Sequence, residues 1–172
     1  MTTRTALLDV TARLYAEHGW RGTTTRRIAE AAGVNEVTLF RQFGSKEALL
    51  LESIRSASHE DVAQALPEHP HRLQAELTAW ALAQHTGLTA KRQMIRNCLA
   101  EWEEHPELAP VVCDGGMKAF AEATRYLTAA RANGLLADGG SLESATVLLM
   151  NAVFMDAMTR DFGSMSPPHT VP

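Results

Sequence analysis

The chain has 172 residues, of which 45% are hydrophobic and 21% are charged, and its formal net charge is −4. These values exclude a disordered chain and fit one or two small globular domains. No apolar run follows Met1, and the longest apolar stretch, residues 145–158, is too short to span a bilayer and contains Asn151 and Asp156. We therefore expect a cytoplasmic protein without a signal peptide.

Apolar residues recur at helical spacing along the whole sequence, and no alternating β-branched run indicates a strand. The first helix is predicted over residues 4–18, where its apolar residues share one face. Gly19 is expected to end it, because a helix commonly stops at a glycine.

Residues 24–46 contain the most informative pattern of the chain. A second helix is predicted over 24–32, with Thr23 or Thr24 as its N-cap and Gly33 as its left-handed end. A third helix, capped by Asn35, is predicted over 35–43. It has only about two turns and is too short to be stable alone in water, so its neighbours must hold it and its outer face is free for a partner. This organisation is typical of a helix-turn-helix whose second helix enters the major groove of DNA.

A fourth helix is predicted to start at the cap Ser45 and to run to about residue 66, where Pro67 and Pro70 break the pattern. Glycines and prolines then separate the later helical segments, and Gly87 is expected to divide two of them. Four further helices are predicted over residues 71–85, 89–104, 114–133 and 142–161. The Pro-rich tail after them is expected to be irregular.

The last predicted helix, from Leu142 to Asp161, has almost no polar face. A helix that is apolar all round is buried on all sides, which is difficult for a small domain to achieve alone. We therefore expect a second copy of the chain to pack along this helix in a two-fold dimer. The alternative is a core helix buried within a single chain.

Charge is divided unequally along the chain. Residues 1–48 carry seven basic and five acidic side chains, and the remainder carries nine basic and fifteen acidic ones. Such asymmetry is expected for a DNA-reading head on an acidic body. The alternative interpretation is that the two surfaces differ in charge without a functional consequence.

Three consecutive stretches carry a resemblance to a known family: ALLDVTARLYAEHGW, RGTTTRRIAEAAGV and NEVTLFRQFGSKEALL. They resemble the N-terminal domain of the TetR (tetracycline-repressor-like) family of bacterial transcriptional regulators, over about residues 5–51. Two positions depart from the family pattern. Glu36 stands where a basic residue is common, and Val37 stands where Gly or Ala is common. The operator sequence of a relative therefore cannot be transferred to this chain.

The resemblance implies an all-α fold with three parts. These are an N-terminal three-helix helix-turn-helix DNA-binding domain over residues 1–48, a connecting helix and linker over 49–70, and a C-terminal helical effector-binding and dimerisation domain over 71–172. TetR-like proteins usually have a further helix after the segment that corresponds to 142–161, and this sequence stops at Pro172 before such a helix. Either the dimer interface is abbreviated or the sequence lacks its natural end.

DNA contacts are expected from two groups of side chains. Phosphates would be contacted by hydroxyls, helix N-terminal amides and cations at Thr24, Thr25, Arg26, Arg27 and Lys46. Base edges would be contacted by Asn35, Glu36, Val37, Thr38 and Arg41, with Arg41 suited to guanine, Glu36 to cytosine N4 and Val37 to a thymine methyl. Phe40 is expected to pack on the sugar-phosphate backbone. As alternatives, Lys46 and Arg26 are ordinary surface charges, and Glu36 only repels phosphates in incorrect registers.

The resemblance also implies a ligand pocket among the fourth to eighth predicted helices. The apolar candidates for its lining are Trp80, Met94, Cys98, Trp102, Met117, Phe120, Met150 and Phe154, and the polar candidates are His85, Asn97 and Asn151. For each of these residues, ordinary core packing is the alternative. The tryptophans and methionines, together with the lack of a basic pocket, favour an uncharged or hydrophobic effector over a phosphorylated one.

Neither an enzyme nor a metal protein is predicted. The sequence contains no nucleophile–base pair with an orienting group and no phosphate-binding loop, and no cofactor is expected. Among the histidines, His69 with His71 and His105 with Glu101 are the candidate pairs of metal ligands, and neither completes a three-ligand set. Cys98 and Cys113 lack metal-binding spacing and are expected to be buried thiols, with redox sensing as the alternative.

The sequence thus predicts a dimeric, ligand-responsive transcriptional regulator, most simply a repressor, that binds a palindromic operator with half-sites roughly 34–36 Å apart. A homodimer, double-stranded DNA and a small-molecule effector are its expected partners, and no membrane is. The alternative is a helical ligand-binding dimer whose DNA-binding head is weak or vestigial.

Overall fold

The computed structural model describes residues 3–59 and 65–162 of the chain. These ranges are mainly helical and contain no strand, which confirms the predicted all-α fold class. Their α-helices are α1 (Thr3–Gly22), α2 (Thr25–Ala32), α3 (Glu36–Phe43), α4 (Lys46–His59), α5 (Leu73–Ala90), α6 (Arg92–Ala100), α7 (Leu108–Ala132) and α8 (Leu142–Thr159), and a 3-10 turn follows at Arg160–Phe162. The predicted irregular tail lies outside the described residues.

α1 runs four residues beyond its predicted end, but its geometry breaks at the glycine that was expected to end it. Gly19 has φ 65° and ψ −170°, a conformation that essentially only glycine adopts. The Thr23 hydroxyl and the Thr23 N–H both donate to the Gly19 carbonyl, at 2.7 and 3.2 Å. The turn after the break buries Trp20, which is 6% exposed.

The capping residues of α2 and α3 were predicted correctly. Thr24 caps α2 by accepting a hydrogen bond from the N–H of Arg27, and Gly33 ends the helix at φ 68° and ψ 32°. Asn35 caps α3, because its Oδ1 accepts from the N–H of Val37 at 2.9 Å. Each cap satisfies a backbone donor that the helix itself leaves unpaired.

α4 begins as predicted, with Ser45 Oγ accepting from the Ala48 N–H at 3.1 Å. Its predicted end does not agree with the structure, because Ala65 and Leu66 are not helical. Residues 60–64 of the predicted helix lie outside the described ranges.

The boundaries of α5, α6 and α7 differ from their predictions. α5 passes through Gly87 and ends at Ala90, so Gly87 does not separate two helices. α6 ends at Ala100 rather than near residue 104. α7 begins at Leu108, six residues before its predicted start, and contains Pro110 in its first turn. A proline is tolerated there because the first N–H groups of a helix have no intrahelical partner.

Two compact units make up the chain: unit 1 consists of Met1–Asp61 and Gln93–Gly116, and unit 2 consists of Val62–Arg92 and Met117–Pro172. Residues 93–116, which the sequence places in the effector domain, therefore pack with the N-terminal helices. The assignment of functions to residues 1–48, 49–70 and 71–172 stays a prediction.

Unit 1 has two apolar clusters. The first lies among α1, α2, α3 and α4 and is formed by Leu7, Leu14, Ile28, Leu39 and Leu49. The second joins α1 and α4 to the inserted segment 93–116, and its buried members are Tyr15, Trp20, Leu50, Ile54, Met94, Cys98, Leu108 and Val111. Half of the second cluster therefore comes from beyond residue 92.

Unit 2 is built from α5, α8 and the later part of α7. Trp80, Ala123 and Tyr126 are at most 1% exposed in its core. Glu122 accepts hydrogen bonds from the Trp80 indole N–H at 3.0 Å and from the Leu66 backbone N–H at 2.7 Å, so the same carboxylate ties α5 and the preceding connection to α7.

Candidate nucleic-acid interface

One face of α3 packs against the core of unit 1, and the opposite face, here called the open face, is exposed to solvent. Leu39 is fully buried in the first cluster of unit 1, whereas Val37 is 70% and Phe40 is 46% exposed. Arg41 is also exposed, next to Phe40 along the helix. Two large apolar side chains and a cation on the open face of a short helix form a surface suited to a partner rather than to the core of unit 1.

The other predicted base-reading residues surround this open face. Asn35 is exposed, although its side-chain oxygen is engaged in the cap of α3. Glu36 and Thr38 are half-buried. The backbone therefore presents all five predicted base-reading positions on or beside one short helix.

The predicted phosphate-contacting residues of α2 lie at its N-terminus. Thr24 and the cations Arg26 and Arg27 are exposed, and Thr25 is half-buried. Arg27 Nη1 donates to the Gly22 carbonyl at 2.8 Å, which holds this guanidinium beside the turn before α2. Hydroxyls, unpaired helix amides and two guanidinium groups together create a site that favours a negative charge.

The Arg26 guanidinium is less free to contact a phosphate than its exposure indicates. Its Nε donates to Glu30 Oε1 at 2.9 Å, one helical turn away. This pairing is solvent-exposed and therefore weak, so it restrains the guanidinium without removing it from contact with a phosphate.

Lys46 is turned toward the protein. Its Nζ donates to the Trp20 carbonyl at 2.6 Å and lies 5.9 Å from the centre of the Trp20 ring. Partial burial lowers the pKa of Lys46 below its ordinary value, while the charges of Glu47 and Glu101 act in the opposite direction. The ammonium is thus a positioned group and not a freely moving surface charge.

Arg4 supports α3 and was not predicted from the sequence. Its guanidinium donates to the Gln42 carbonyl at 3.2 Å, lies 4.3 Å from the centre of the Phe43 ring, and pairs with Glu52 of α4 at 2.7 Å. These contacts link the start of α1 to the last turn of α3 and to α4. No local signal could have identified them, because the partners are 38 or more residues apart in sequence.

The predicted pocket residues are divided between the two units. Met94, Asn97, Cys98 and Trp102 belong to unit 1. Met94 and Cys98 are buried in its second cluster, and the Asn97 amide donates to the Tyr15 and Ala16 carbonyls at 2.7 and 3.0 Å. Trp102 is 40% exposed.

The remaining pocket candidates belong to unit 2: Trp80, His85, Met117, Phe120, Met150, Asn151 and Phe154. Trp80 is buried and Met117 is 65% exposed. His85 Nε2 lies 2.8 Å from Asp156 Oδ2, although the two atoms are not aligned as a hydrogen bond. Asp156 also accepts from Arg160, which is the main reason why the pKa of this carboxyl is lowered.

An open groove of about 700 Å³ runs along the outer face of α5 in unit 2. None of the predicted pocket residues lines this groove. The residues that line it are Arg72, Leu73, Gln74, Ala75, Thr78, Ala79 and Leu82.

The two cysteines differ in environment. Burial, as the main cause, raises the pKa of the Cys98 thiol to about 11, which disfavours the nucleophilic thiolate form at neutral pH. Cys113 is exposed, so the expectation of two buried thiols is wrong for this residue.

In the described part of the chain, no group of three potential metal-ligating side chains comes together. Across the same residues, none of the helices combines the length with the apolar character that crossing a membrane requires.

Comparison with known proteins places residues 7–53 in the family described as bacterial regulatory proteins, tetR family. The HTH-type transcriptional repressor KstR2 of Rhodococcus jostii is 50% identical over 52 residues, which are 30% of this chain and 26% of that repressor. The HTH-type transcriptional repressor AcnR of Corynebacterium diphtheriae is 33% identical over 106 residues, which are 62% of this chain and 45% of that repressor. The matches thus span less than half of the length of these curated relatives.

A likeness to solved structures extends over nearly the whole chain. The fatty acid degradation regulator FadR from Bacillus halodurans has a TM-score of 0.72 at 16% identity, with 97% of this chain and 88% of that chain covered. At this level of identity the likeness establishes the fold alone.

Proposed function

We propose that this chain, whose residues 7–53 match the tetR family of bacterial regulatory proteins, is a dimeric, sequence-specific transcriptional regulator that represses genes from a palindromic operator and works in the cytoplasm. A small hydrophobic effector would release it from DNA. The observation that carries the proposal is the open face of α3, which is anchored by the buried Leu39 and presents the exposed Val37, Phe40 and Arg41.

DNA reading in this proposal divides the side chains by role. Thr24, Arg27 and Lys46 would contact phosphates and fix the register, and α3 would present its open face to base edges in the major groove. Arg41 is the residue best suited to discriminate, since a guanidinium can pair with both O6 and N7 of guanine.

Dimerisation is proposed through α8. Val147 is 42%, Leu148 is 70% and Met155 is 54% exposed in the single chain. Leu148 and Met155 are seven residues apart and therefore lie on one face of the helix, together with the exposed Ala152. An apolar stripe of this kind is costly to leave in water, and a second copy along a two-fold axis would cover it.

The effector site is proposed within unit 2. Trp80 and Met150 share its apolar cluster, and the pair of His85 and Asp156 would supply polar contacts. A pocket in unit 1 is less well supported, because two of the candidate residues there, Met94 and Cys98, are buried in its second apolar cluster. Effector binding would favour a spacing of the two heads that does not match successive major grooves.

Selection of bound duplexes from random DNA at about 0.15 M salt tests the proposed function. We expect a palindrome with half-sites one helical turn apart and an affinity that falls steeply with salt. If no sequence is enriched, the sequence-specific regulator is excluded and the second candidate is favoured, namely a ligand-binding dimer with a vestigial head. The acidic Glu36 at the start of α3 is the observation that supports this second candidate.

A further inference from the structure

The end of α1 is held by the segment that runs from the second half of α6 to the start of α7. Besides the two hydrogen bonds from the Asn97 amide, Arg21 pairs with Glu104 at 3.0 Å. The Trp20 ring stacks on His105, with 3.8 Å between ring centres and 23° between the planes. All of these residues belong to unit 1.

Glu101 makes the central contact of this arrangement. Its Oε2 accepts from the Tyr15 hydroxyl at 2.8 Å, and its Oε1 accepts from the Trp20 backbone N–H at 2.8 Å. The two donors lie on opposite sides of the break at Gly19. A single carboxylate therefore fixes the turn after the break relative to the body of α1.

Trp20 connects this carboxylate to Lys46. The Trp20 N–H is held by Glu101, and the Trp20 carbonyl accepts from Lys46 Nζ at 2.6 Å. Lys46 is the first residue of α4 and comes three residues after the end of α3. A change in the position of Trp20 would therefore move an ammonium group that is adjacent to the proposed DNA-reading helix.

The Lys46 ammonium has three N–H donors, and Trp20 uses one of them. We propose that Glu101 is a positioning residue for DNA binding: through Trp20 it holds the Lys46 ammonium where the remaining N–H groups meet a DNA phosphate. The inference rests on the proposed function, because it assigns a role within DNA binding to a residue outside the helix-turn-helix.

The direction in which removal of Glu101 changes the affinity for DNA distinguishes a positioning role from a purely electrostatic one. Glu101 is an acid in the DNA-binding unit, so removing its charge would strengthen binding to a polyanion if only long-range repulsion mattered. If Glu101 positions Lys46, its removal weakens binding instead. Glu103 is exposed two residues farther along the same segment and serves as the control for loss of charge.

The experiment measures binding to a mixed-sequence duplex of about 30 base pairs over a range of salt concentrations. The variants are Glu101→Ala, Glu103→Ala, Lys46→Ala and the double variant Glu101→Ala with Lys46→Ala, each first checked for helical content by circular dichroism. A sequence-independent probe is sufficient because a phosphate contact does not depend on the bases.

We expect Glu101→Ala and Lys46→Ala to weaken binding alike, by about three- to tenfold, and to lower the salt slope by about one per head. The double variant should lose no more than Lys46→Ala alone, because the two residues act through one contact. Glu103→Ala should bind as the wild type does or more tightly.

The inference would be overturned if Glu101→Ala bound the duplex as tightly as the wild type or more tightly. It would also be overturned if the double variant lost more affinity than Lys46→Ala alone. If the wild type itself binds no duplex, the proposed function fails together with the inference. If the wild type binds and only the expected effect of Glu101→Ala is missing, the inference alone fails. If Glu101→Ala does not fold, Glu101→Gln replaces it. A single amide oxygen serves only one of the two donors well, so a smaller loss of the same kind is expected, and unchanged binding again rejects the role.

Discussion

Gly19 and Glu101 approach each other so closely that a Cβ atom added to Gly19 would lie 2.8 Å from Oε1 of Glu101. This carboxylate oxygen is the one that holds the Trp20 N–H. The break in α1 thus requires glycine for its backbone conformation, and a Cβ atom there would in addition displace the carboxylate.

We expect Gly19→Ala to destabilise the protein by about 1–3 kcal/mol from backbone strain alone, with a further loss from displacement of Glu101. Gly33→Ala is the matched control, because Gly33 also has a positive φ but has no atom within 4 Å of an added Cβ. Its cost should be about 1–2 kcal/mol, from the left-handed conformation only. Urea unfolding followed by circular dichroism measures both, and equal losses would show that the space near Glu101 is unimportant.

Arg41→Ala should weaken binding to the selected operator by about 1–3 kcal/mol and relax the preference at one base position. The reason is the loss of a guanidinium suited to pair with guanine from the open face of α3. Competition among duplexes that differ at single positions measures the effect. Arg13→Ala, which removes an exposed cation from α1, is the control for net charge. Equal weakening on every duplex would instead make Arg41 a phosphate contact.

Leu148→Glu should shift the protein from dimer to monomer, because a carboxylate would be buried without a partner in the proposed α8 interface. Sedimentation velocity at several protein concentrations measures the change. Leu82→Glu is a matched control, since Leu82 is 62% exposed on α5, compared with 70% for Leu148 on α8. A dimer that persists in Leu148→Glu and dissociates in Leu82→Glu would move the interface to α5.

Glu76→Gln should lower stability at neutral pH and have no effect in strong acid. The Tyr126 hydroxyl donates to Glu76 at 2.6 Å, and this bond, followed by those from the backbone N–H groups of Arg72 and His71, lowers the pKa of the carboxyl below its ordinary value of 4.5. A lowered carboxyl pKa stabilises the fold above the ordinary value, and the contribution disappears as pH falls through the lowered pKa.

Thermal melts of wild type and Glu76→Gln from pH 7 down to about pH 3 test this pH dependence. The difference in Tm should be largest near neutrality and should shrink as the pH falls toward the acid end. Glu143→Gln is the control, because Glu143 is likewise an acid in the first turn of a helix. A Tm difference for Glu76→Gln that does not vary with pH would attribute the effect to packing and not to ionisation.

The local signals in the sequence predicted the helix-turn-helix well. Thr24, Gly33 and Asn35 act within one or two turns of their own position, so the ends of α2 and α3 can be read from neighbouring residues. The same reliance on local signals gave wrong helix boundaries at Gly87 and Pro110. A glycine is tolerated inside a long helix that packs well, and a proline fits the first turn of a helix as readily as it ends one.

The contacts that hold the residues of the candidate site in place could not be predicted from neighbouring residues. Lys46 was predicted to contact a phosphate from its place at the start of the fourth helix, but its hydrogen bond to Trp20 depends on how α1 ends. Glu101 lies 86 residues from Tyr15 and 81 residues from Trp20, and it belongs to a segment that the family resemblance assigns to the effector-binding domain. Only the tertiary fold brings these residues together.

Unit 1 is discontinuous, and this affects how the protein emerges from the ribosome. The first 61 residues, which include the whole helix-turn-helix, are synthesised before Met94, Cys98, Leu108 and Val111 exist to cover Tyr15 and Trp20. The nascent head must therefore expose part of its apolar surface until about a third of unit 2 has also been translated. A gene fragment that ends at residue 61 would encode every proposed base contact and still yield a head with one side of its core missing.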